Sequence, residues 1–156
     1  MTKEIERKFL VSGDFKKHAI KSYHISQGFL STVPERTVRI RIRDHQGFIT
    51  IKGISNTSGT TRFEWEKEIP LNEAENLLIL CEPTIIEKTR CIISSNDNLY
   101  FEVDEFLAEN KGLVIAEIEL PDEKAKFIKP NWLGEEVTGQ IKYYNAMLAK
   151  KPFKDW

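Results

Sequence analysis

Charged residues alternate with apolar residues in the first segment of this chain, which reads Glu4-Ile5-Glu6-Arg7-Lys8-Phe9-Leu10-Val11. Successive side chains of a β-strand point to opposite faces, so Glu4, Glu6 and Lys8 would share one face of a strand. The same alternation recurs in Arg39-x-Arg41-x-Arg43, Thr50-x-Lys52, Glu64-x-Glu66-x-Glu68, Lys88-x-Arg90, Glu102-x-Asp104 and Glu117-x-Glu119. A sheet built from these segments has one charged face that carries both signs and one largely apolar face. This pattern indicates a highly ionic site.

The cations of the charged face suit a polyanion that carries several phosphoryl groups. Arg39 and Arg41 present planar guanidinium groups that match phosphate oxygens, whereas Lys8, Lys52 and Lys88 act as point charges. The carboxylates would repel such a ligand unless a divalent cation lies between them. Carboxylate oxygens are hard ligands that suit Mg²⁺ or Mn²⁺, which commonly bridge carboxylates to substrate phosphates. The combination predicts metal-assisted phosphoryl chemistry, and no Ser–His or Cys–His arrangement indicates a covalent nucleophile.

A simpler interpretation is a solvated sheet face with cross-strand ion pairs, each of which is worth little. For a single strand this interpretation is favoured, but seven segments that separate Arg-x-Arg from Glu-x-Glu so regularly weaken it. Some of the charges still belong to the scaffold. Arg43 and Glu68 fall near strand ends and are predicted to be structural or exposed. Arg7 and Lys67 fall on the apolar face, where long charged side chains reach the rim of a sheet.

The bulk composition excludes several classes of partner. The chain has 156 residues and a formal net charge of -1, which fits a single domain over residues 1–156. Such a charge creates no overall field that attracts nucleic acid or an anionic membrane. No segment resembles a transmembrane span or a signal peptide, so a cytoplasmic protein with no nucleic-acid or membrane partner is predicted. Cys81 and Cys91 are interpreted as small apolar residues. A homodimer is kept as one possible assembly.

Eight strands are predicted, at residues 3–11, 25–31, 36–44, 47–53, 62–69, 85–94, 98–106 and 113–120. Residues typical of turns separate several of these strands, at 44–47, 95–98 and 109–112. Three helices are predicted: one with a capping box formed by Asn72 and Glu75, one that begins at Pro121 and ends near Ile128, and one capped by Thr138.

The charged face also predicts the fold. It cannot be buried against helices on eight largely antiparallel strands, because each unpaired buried ion costs several kcal/mol. The charged faces must therefore face one another across a wet space. Closure of the sheet into a barrel achieves this and removes the exposed sheet edges. The predicted fold is α+β: an eight-stranded antiparallel closed β-barrel with a charged lumen and with helices packed on the outside.

The ordered motifs resemble those of the CYTH domain, the triphosphate tunnel metalloenzyme superfamily. The segment from Glu4 to Val11 resembles the Glu-x-Glu-x-Lys motif at the N-terminus of that domain. Later matches follow in order along nearly the whole chain: Gln27-Gly28, Val38-Arg39-Ile40-Arg41, Thr50-Ile51-Lys52-Gly53, Glu64-x-Glu66, Glu87-Lys88-Thr89-Arg90, Glu102-Val103-Asp104-Glu105-Phe106, Ala116-Glu117-Ile118-Glu119-Leu120, Glu136-Val137-Thr138 and Tyr144-Asn145. The first motif alone is weak, whereas the ordered set is highly specific. The resemblance implies an eight-stranded antiparallel β-tunnel, which agrees with the barrel predicted from the charges.

The resemblance also implies roles for single residues. The metal, Mg²⁺ or Mn²⁺, would be bound by Glu4, Glu6 and Glu119, with Glu117 nearby. The triphosphate would lie against Lys8, Arg39, Arg41, Lys52, Lys88 and Arg90, with Lys8 and Lys88 in catalytic roles. The remaining acidic residues would hold these cations in place or help to bind a second metal; they are Glu64, Glu66, Glu102 and Asp104.

One position departs from the pattern of the family. Phe29 follows Gln27-Gly28, where many short bacterial members have a Tyr whose hydroxyl would help to position a proton-transferring lysine. This departure puts the efficiency or the substrate preference in question rather than the family.

Hydrolysis of a triphosphate is the function that the resemblance favours, and inorganic tripolyphosphate is the preferred substrate because no nucleobase site is evident. The aromatic residues Trp65, Trp132, Tyr143 and Tyr144 are expected on the apolar face or in helices. The alternatives are an adenylate cyclase, a nucleoside or thiamine triphosphatase, and a module that binds polyphosphate without turnover. Phe29 keeps the last of these open.

Overall fold

The computed structural model describes residues 2–95 and 98–156 of the chain. The strands in these ranges are β1 (Thr2–Val11), β2 (Ala19–Ser31), β3 (Thr37–Arg43), β4 (Gln46–Ser55), β5 (Thr61–Ile69), β6 (Glu82–Ser94), β7 (Tyr100–Phe106), β8 (Val114–Glu119) and β9 (Leu133–Glu136). The helices are α1 (Leu71–Ile79), α2 (Asn145–Lys150) and short 3-10 helices at Lys16–His18, Ala108–Asn110, Ile141–Tyr143 and Phe153–Asp155. The predicted turn at 95–98 includes residues 96 and 97, which lie outside the described residues. None of the described helices is long and apolar enough to cross a membrane.

The first eight strands form the closed antiparallel barrel that the charge pattern predicts. Their order is β5-β4-β3-β2-β6-β7-β8-β1, and β5 pairs with β1 to complete the circle. The closing register places Glu4 opposite Arg62. The α+β fold with helices outside the barrel is therefore confirmed. β9 is an addition that the sequence pattern does not predict, because Leu-Gly-Glu-Glu shows no apolar alternation; it pairs with the end of β1.

A hydrophobic cluster covers the outer face of β1, β7 and β8. Phe9 and Phe101 are each 1% exposed there. The segment after β8 lies over them, and the rings of Phe127 and Trp132 meet the Phe101 ring edge-on at centroid distances of 5.8 and 5.1 Å. The apolar face of the sheet is thus buried on the outside of the barrel, as the charge argument requires.

The covering segment is irregular, so the helix predicted from Pro121 to about Ile128 is wrong. Residues 121–132 contain bends, turns and irregular backbone but no helix. The Asp122 carboxylate accepts a hydrogen bond from the Lys124 backbone N–H at 2.8 Å, which is a side-chain turn. The acidic pair after the proline therefore forms this turn instead of opening a helix.

α1 covers the outer face of β3 and β4. Ala74 of the helix lies against Gly47 of β4, where an added Cβ would come within 2.6 Å of the Cβ of Ala74. Only glycine permits this approach of the helix to the sheet. The predicted capping box of Asn72 and Glu75 is wrong, because Pro70 occupies the N-cap position and makes no side-chain bond to the helix.

α2 packs against one end of the barrel. Ile86 shares the inner face of β6 with Lys88, and Phe106 is the cross-strand partner of Lys88 on β7. These apolar residues cluster with Leu148 of α2, which is 0% exposed. Apolar side chains and α2 therefore close this end of the charged lumen.

Thr138 does not cap the last helix, so that prediction is also wrong. Its hydroxyl accepts a hydrogen bond from the Lys8 backbone N–H at 2.9 Å and donates to Glu136 at 2.7 Å. Glu136 in turn accepts two hydrogen bonds from the Arg7 guanidinium, at 2.7 and 2.9 Å. Thr138 and Glu136 thus fasten the segment after β9 to β1, and Arg7 lies at the rim of the apolar face as predicted.

Candidate active site

The lumen contains a cavity of about 510 Å³ whose lining includes many charged residues of both signs. The predicted site residues that line it are Glu4, Glu6, Lys8, Arg39, Arg41, Lys52, Glu64, Glu66, Lys88, Arg90, Glu102, Glu117 and Glu119. Asp104 is 2% exposed and lies behind the wall, where it binds Lys88 and Arg90. Strand alternation thus brings the predicted set to one place.

Carboxyl groups crowd together where β1 meets its neighbouring strands. Glu6 lies opposite Glu119 and is hydrogen-bonded to the carboxyl group of Glu117. Burial, together with the charges of Glu117 and Glu4, raises the pKa of Glu6 well above its usual value. Burial and the neighbouring Glu4 raise the pKa of Glu64 to about 7. This part of the cavity therefore holds a proton between carboxyl groups that repel each other when charged.

Two lysines partly neutralise these carboxylates. The Nζ atom of Lys52 lies 2.7 Å from Glu4. Burial alone would raise the pKa of Glu4, but the charge of Lys52 lowers it to about 2. The Nζ atom of Lys8 lies 3.8 Å from Glu117 and donates a hydrogen bond to the Tyr143 carbonyl at 3.3 Å. Both lysines thus lie where carboxylates and a bound phosphate would compete for them.

Lys88 and Arg90 share a buried carboxylate. Arg90 binds Asp104 with two N–H groups, at 2.7 and 2.9 Å, and binds Glu102 with a third at 3.1 Å. The Lys88 ammonium lies 2.8 Å from Asp104 and donates to Asn145 Oδ1 at 2.9 Å. Burial lowers the pKa of Lys88 to about 7, although Asp104 opposes this, and neighbouring guanidinium groups add to the lowering. An amine with such a pKa is suited to proton transfer near neutral pH.

Arg39 and Arg41 present positive charge that the protein neutralises incompletely. Arg39 donates to Thr50 at 3.0 Å and to Glu66 at 3.3 Å, while its buried Nε has no partner among the described residues. Arg41 donates from Nε to Gln27 at 2.9 Å. Burial and the positive charge of Arg39 lower the pKa of Arg41 well below its usual value. A multiply charged anion would relieve this repulsion.

Arg62 is a cavity residue that the sequence analysis missed. Its guanidinium donates to Thr37 Oγ1 and to the Gly53 carbonyl, each at 3.2 Å. It also lies 5.9 Å from the ring centroid of Tyr144. The signal was present, because Arg62 shares the inner face of β5 with Glu64 by simple alternation.

The expectation for Tyr144 is wrong, whereas those for Arg43 and Glu68 agree with the structure. Tyr144 was expected on the apolar face or in a helix, but it lines the cavity, and the Nζ atom of Lys8 lies 5.0 Å from its ring centroid. Arg43 stacks on Tyr23 and Phe48, at 4.8 and 5.1 Å, so it makes the structural contacts predicted for it even though it reaches the cavity wall. The strand-end residue Glu68 is exposed, as predicted.

Phe29 faces the lumen. It is 4% exposed, lines the cavity and packs with Ile86 and Phe106 in the cluster that closes one end of the barrel. The side chain at position 29 therefore offers no hydroxyl to the lumen.

The chemistry of the acidic donor set fits a hard divalent cation. Glu4, Glu6, Glu117 and Glu119 offer carboxylate oxygens from two adjacent strands. In the described residues no three His, Cys, Asp or Glu side chains are already arranged around one point. Glu6 instead hydrogen-bonds to Glu117, and Glu4 to Glu64. A cation would replace a shared proton and remove the repulsion between these groups. Their assignment as metal ligands stays a prediction.

Comparisons with known proteins find similarity along nearly the whole chain. The model of the CYTH domain matches residues 2–151. An inorganic triphosphatase of Acetivibrio thermocellus is 48% identical over 157 residues, which cover 100% of this chain and 99% of that protein. An inorganic triphosphatase of Nitrosomonas europaea is 37% identical and covers 94% of this chain and 96% of its own length. The crystal structure of the inorganic triphosphatase NE1496 has a TM-score of 0.68 at 33% identity, covering 96% of this chain and 95% of that chain.

Proposed function

The chain belongs to the CYTH domain family, and on this basis we propose that it hydrolyses inorganic tripolyphosphate with Mg²⁺ or Mn²⁺ as cofactor. The observation that carries the proposal is the composition of the cavity. Guanidinium groups with unsatisfied positive charge and a cluster of carboxylates that repel each other line the same enclosed space. A metal–triphosphate complex satisfies both at once. The full-length similarity to proteins named inorganic triphosphatases supports this substrate.

The acidic and the basic residues of the lining have different proposed roles. Glu4, Glu6, Glu117 and Glu119 would hold the cation, which supplies charge neutralisation at the phosphoryl oxygens when bound. The phosphate oxygens would be bound by Lys8, Arg39, Arg41, Lys52, Lys88 and Arg90. Arg90 is already bound by Asp104 and Glu102, so its main contribution is to fix the shape and charge of the wall.

Lys88 is the group that we assign to proton transfer. In its neutral form it can accept a proton from the water that attacks the terminal phosphorus, while the bond to the bridging oxygen breaks and pyrophosphate leaves. Its pKa of about 7 leaves a useful fraction of the amine neutral near pH 7. Lys8 is 6% exposed, lies 3.8 Å from Glu117, and would stabilise charge on the phosphate.

The aromatic residues of the cavity favour an inorganic substrate over a nucleotide. Tyr144 is the aromatic side chain best placed to stack on a base, yet Lys8 and Arg62 already lie near its ring. Phe29 packs within the apolar end cluster. A nucleobase would have to displace these contacts, whereas a bare triphosphate would not.

A single assay panel tests the proposal. Release of orthophosphate is measured from tripolyphosphate, pyrophosphate, ATP and thiamine triphosphate with Mg²⁺ or Mn²⁺, and formation of cyclic AMP is followed in the ATP reactions. Tripolyphosphate is expected to give the highest kcat/KM. Cyclic AMP as the main product would establish the cyclase instead, and tight binding without phosphate release would establish a binding module.

Replacement of Arg39 by lysine is expected to lower kcat/KM for tripolyphosphate by about 10–100-fold, because hydrogen bonds to charged groups are worth roughly 1.5–3 kcal/mol and a point charge cannot reproduce the guanidinium fork. Steady-state kinetics of Arg39→Lys measure this effect. Arg36→Lys is the matched control, since Arg36 is exposed and precedes the same strand. Unaltered kinetic constants in Arg39→Lys would place Arg39 outside the substrate site.

The Phe29→Tyr variant is expected to raise kcat for tripolyphosphate or to shift its pH profile. The added hydroxyl would enter a cavity wall that contains proton-transferring groups, where general acid–base help is typically worth about 10²–10⁴-fold. Phe63→Tyr on the outer face, where Phe63 is 39% exposed, controls for a nonspecific effect. If Phe29→Tyr folds normally and keeps the rate and pH profile of the parent, the missing hydroxyl has no catalytic importance in this chain.

Two further proposals concern the context of the enzyme. We place it in the cytoplasm, and we keep the homodimer as a prediction that light scattering of the purified protein can test. Neither affects the assignment of the cavity, since every residue assigned to it comes from one chain.

A further inference from the structure

Asn145, the first residue of α2, touches two buried side chains of the lumen. Its Oδ1 atom accepts hydrogen bonds from Gln27 Nε2 at 2.7 Å and from Lys88 Nζ at 2.9 Å. Gln27 is 0% exposed and Lys88 is 1% exposed. One carboxamide oxygen therefore fixes the positions of two inner-face residues from neighbouring strands, β2 and β6.

The bonds extend from Asn145 to a phosphate-binding candidate. Gln27 Oε1 accepts a hydrogen bond from Arg41 Nε at 2.9 Å. The hydrogen bonds therefore connect, in this order, Arg41, Gln27, Asn145 and Lys88. Its direction is dictated by chemistry, because arginine and ammonium groups only donate. Arg41 therefore requires the oxygen of Gln27, the nitrogen of Gln27 must donate to Asn145, and Lys88 must meet the oxygen of Asn145.

The backbone before Asn145 holds the second lysine. The Tyr143 carbonyl accepts from Lys8 Nζ at 3.3 Å. Leu148 and Ala149 of α2 are 0% and 2% exposed in the cluster at the end of the barrel, so the start of this helix is held by packing. The residues at the start of α2 thus connect its packing to the lysines of the cavity.

A purely structural role does not account for the Asn145 side chain. A helix N-terminus is usually stabilised by a side chain at the N-cap, but that position is occupied by Tyr144, which makes no such bond. The Asn145 carboxamide oxygen instead accepts bonds from two lumen residues. The Lys88 nitrogen meets Asn145 and Asp104 with two of its three positions. Within the described part of the chain no hydrogen bond occupies the third position, which is an N–H in the ammonium and the lone pair in the neutral amine.

We propose that Asn145 is a positioning residue that, through Gln27, holds Lys88 at a fixed distance and direction from Arg41, so that the proton acceptor and the phosphate-binding guanidinium act on the same substrate. This role rests on the proposed function. It is the kind of support that catalytic groups need, because misplacement of a catalytic group by about 1 Å costs on the order of 10²-fold in rate. It also provides an anchor for Lys88 in a chain whose residue 29 carries no hydroxyl.

The Asn145→Ala variant tests the proposal. It is expected to lower kcat for tripolyphosphate by about 10–100-fold while KM changes by less than about threefold, because the main loss is the orientation of Lys88 rather than contact with substrate. Asn110→Ala is the matched control: Asn110 is 1% exposed and accepts the Phe153 N–H at 2.8 Å, away from the lumen. Asn110→Ala is expected to lower the melting temperature and to leave the kcat of the folded enzyme unchanged.

A double-mutant cycle separates a connected chain from two local effects. If Gln27 acts through Asn145, Gln27→Ala combined with Asn145→Ala is expected to reduce kcat little more than the worse single variant does. If the fold-reductions in kcat of the two single variants multiply in the double variant, the residues act independently. An unchanged kcat in Asn145→Ala would show that Lys88 needs no such support. Either result overturns the proposal.

A second measurement does not depend on turnover. With ¹³C-labelled lysine, the Lys88 Cε signal is identified by its absence in Lys88→Met and is expected to move in Asn145→Ala but not in Asn110→Ala. An unmoved signal in Asn145→Ala overturns the positioning role. If the parent enzyme releases no phosphate from tripolyphosphate while this signal moves, the proposed substrate fails and the positioning of Lys88 stands.

Discussion

Replacement of Lys88 by methionine is expected to lower kcat for tripolyphosphate by about 10²–10⁴-fold, the usual worth of a positioned proton-transfer group. Methionine keeps most of the length of the side chain and leaves Asp104 paired with Arg90 by two hydrogen bonds, so the barrel is expected to remain folded. KM is expected to change less than kcat. Steady-state kinetics and circular dichroism measure the two effects together.

Lys16→Met is the control for this variant, because Lys16 is an exposed lysine that pairs with Glu105 on the outside of the barrel. It is expected to have the kinetics of the parent. Lys88→Met with near-parental kcat would remove Lys88 from the proton-transfer step and would leave Lys8 as the remaining lysine assigned to catalysis.

The pH dependence provides a second test of Lys88. Burial lowers its pKa from 10.5 to about 7 in the folded protein, so the proton-accepting amine forms as the pH rises through about 7 and the rate is expected to rise there. Between these two values the unfolded chain binds more protons at this residue, so stability rises with pH across that window. Urea denaturation from pH 7 to 10 is expected to show a smaller rise in Lys88→Met than in the parent.

The strands and the inner charged face were predictable because they depend on a period of two. Glu4, Glu6 and Lys8 reach the lumen for the same reason that Phe9 reaches the outer cluster, namely the alternation of side chains along β1. A closed barrel then follows from the cost of burying ions of both signs without water. The alternation of side chains and the cost of burying ions were therefore enough to predict most of the fold.

The errors occur where tertiary contacts override local signals. Residues 121–132 have the composition of a helix start, but Phe127 and Trp132 are fixed by the rings over which they pack. Tyr144 lies shortly before Ala146, Met147 and Leu148 in the sequence, and only the chain path before α2 turns its ring toward Lys8. Neither contact leaves a periodic pattern in the sequence.

The roles of Gln27 and Asn145 were unpredictable for a related reason. They are 118 positions apart in the chain. The ordered motifs include both residues, but neither carries a charge that would indicate its role. Their importance arises only from the shared burial that forces every donor to find an acceptor. The alternation of charges identifies which residues enter the lumen, but not which neutral residues hold them there.

The carboxylates pose the opposite problem, since they are easy to predict but costly to bury together. Glu6 carries a raised pKa because burial and the charges of Glu117 and Glu4 all oppose its ionisation. A site selected for stability alone would replace such a group by an apolar or amide side chain. Retention of the carboxyl group here is explained if a cation neutralises it during function.

Glu6→Gln is therefore expected to have opposite effects on stability and on turnover. The amide keeps the shape of the side chain and removes a buried acid, so the melting temperature without added metal is expected to be unchanged or higher. kcat is expected to fall by more than about 100-fold, because even outer-shell partners of a metal are worth about 10–100-fold. The rise in melting temperature that Mg²⁺ or Mn²⁺ with tripolyphosphate gives the parent is expected to be largely lost.

Glu105→Gln provides the comparison, because Glu105 is a partly exposed carboxylate that pairs with Lys16 on the outer face. It is expected to keep the activity and the metal response of the parent. If Glu6→Gln instead retained kcat with an unchanged dependence on metal concentration, Glu6 would not be a ligand. The crowded carboxyl groups would then be a cost of the barrel itself, and the cation would have to bind through the phosphate oxygens and the remaining carboxylates, Glu4, Glu117 and Glu119.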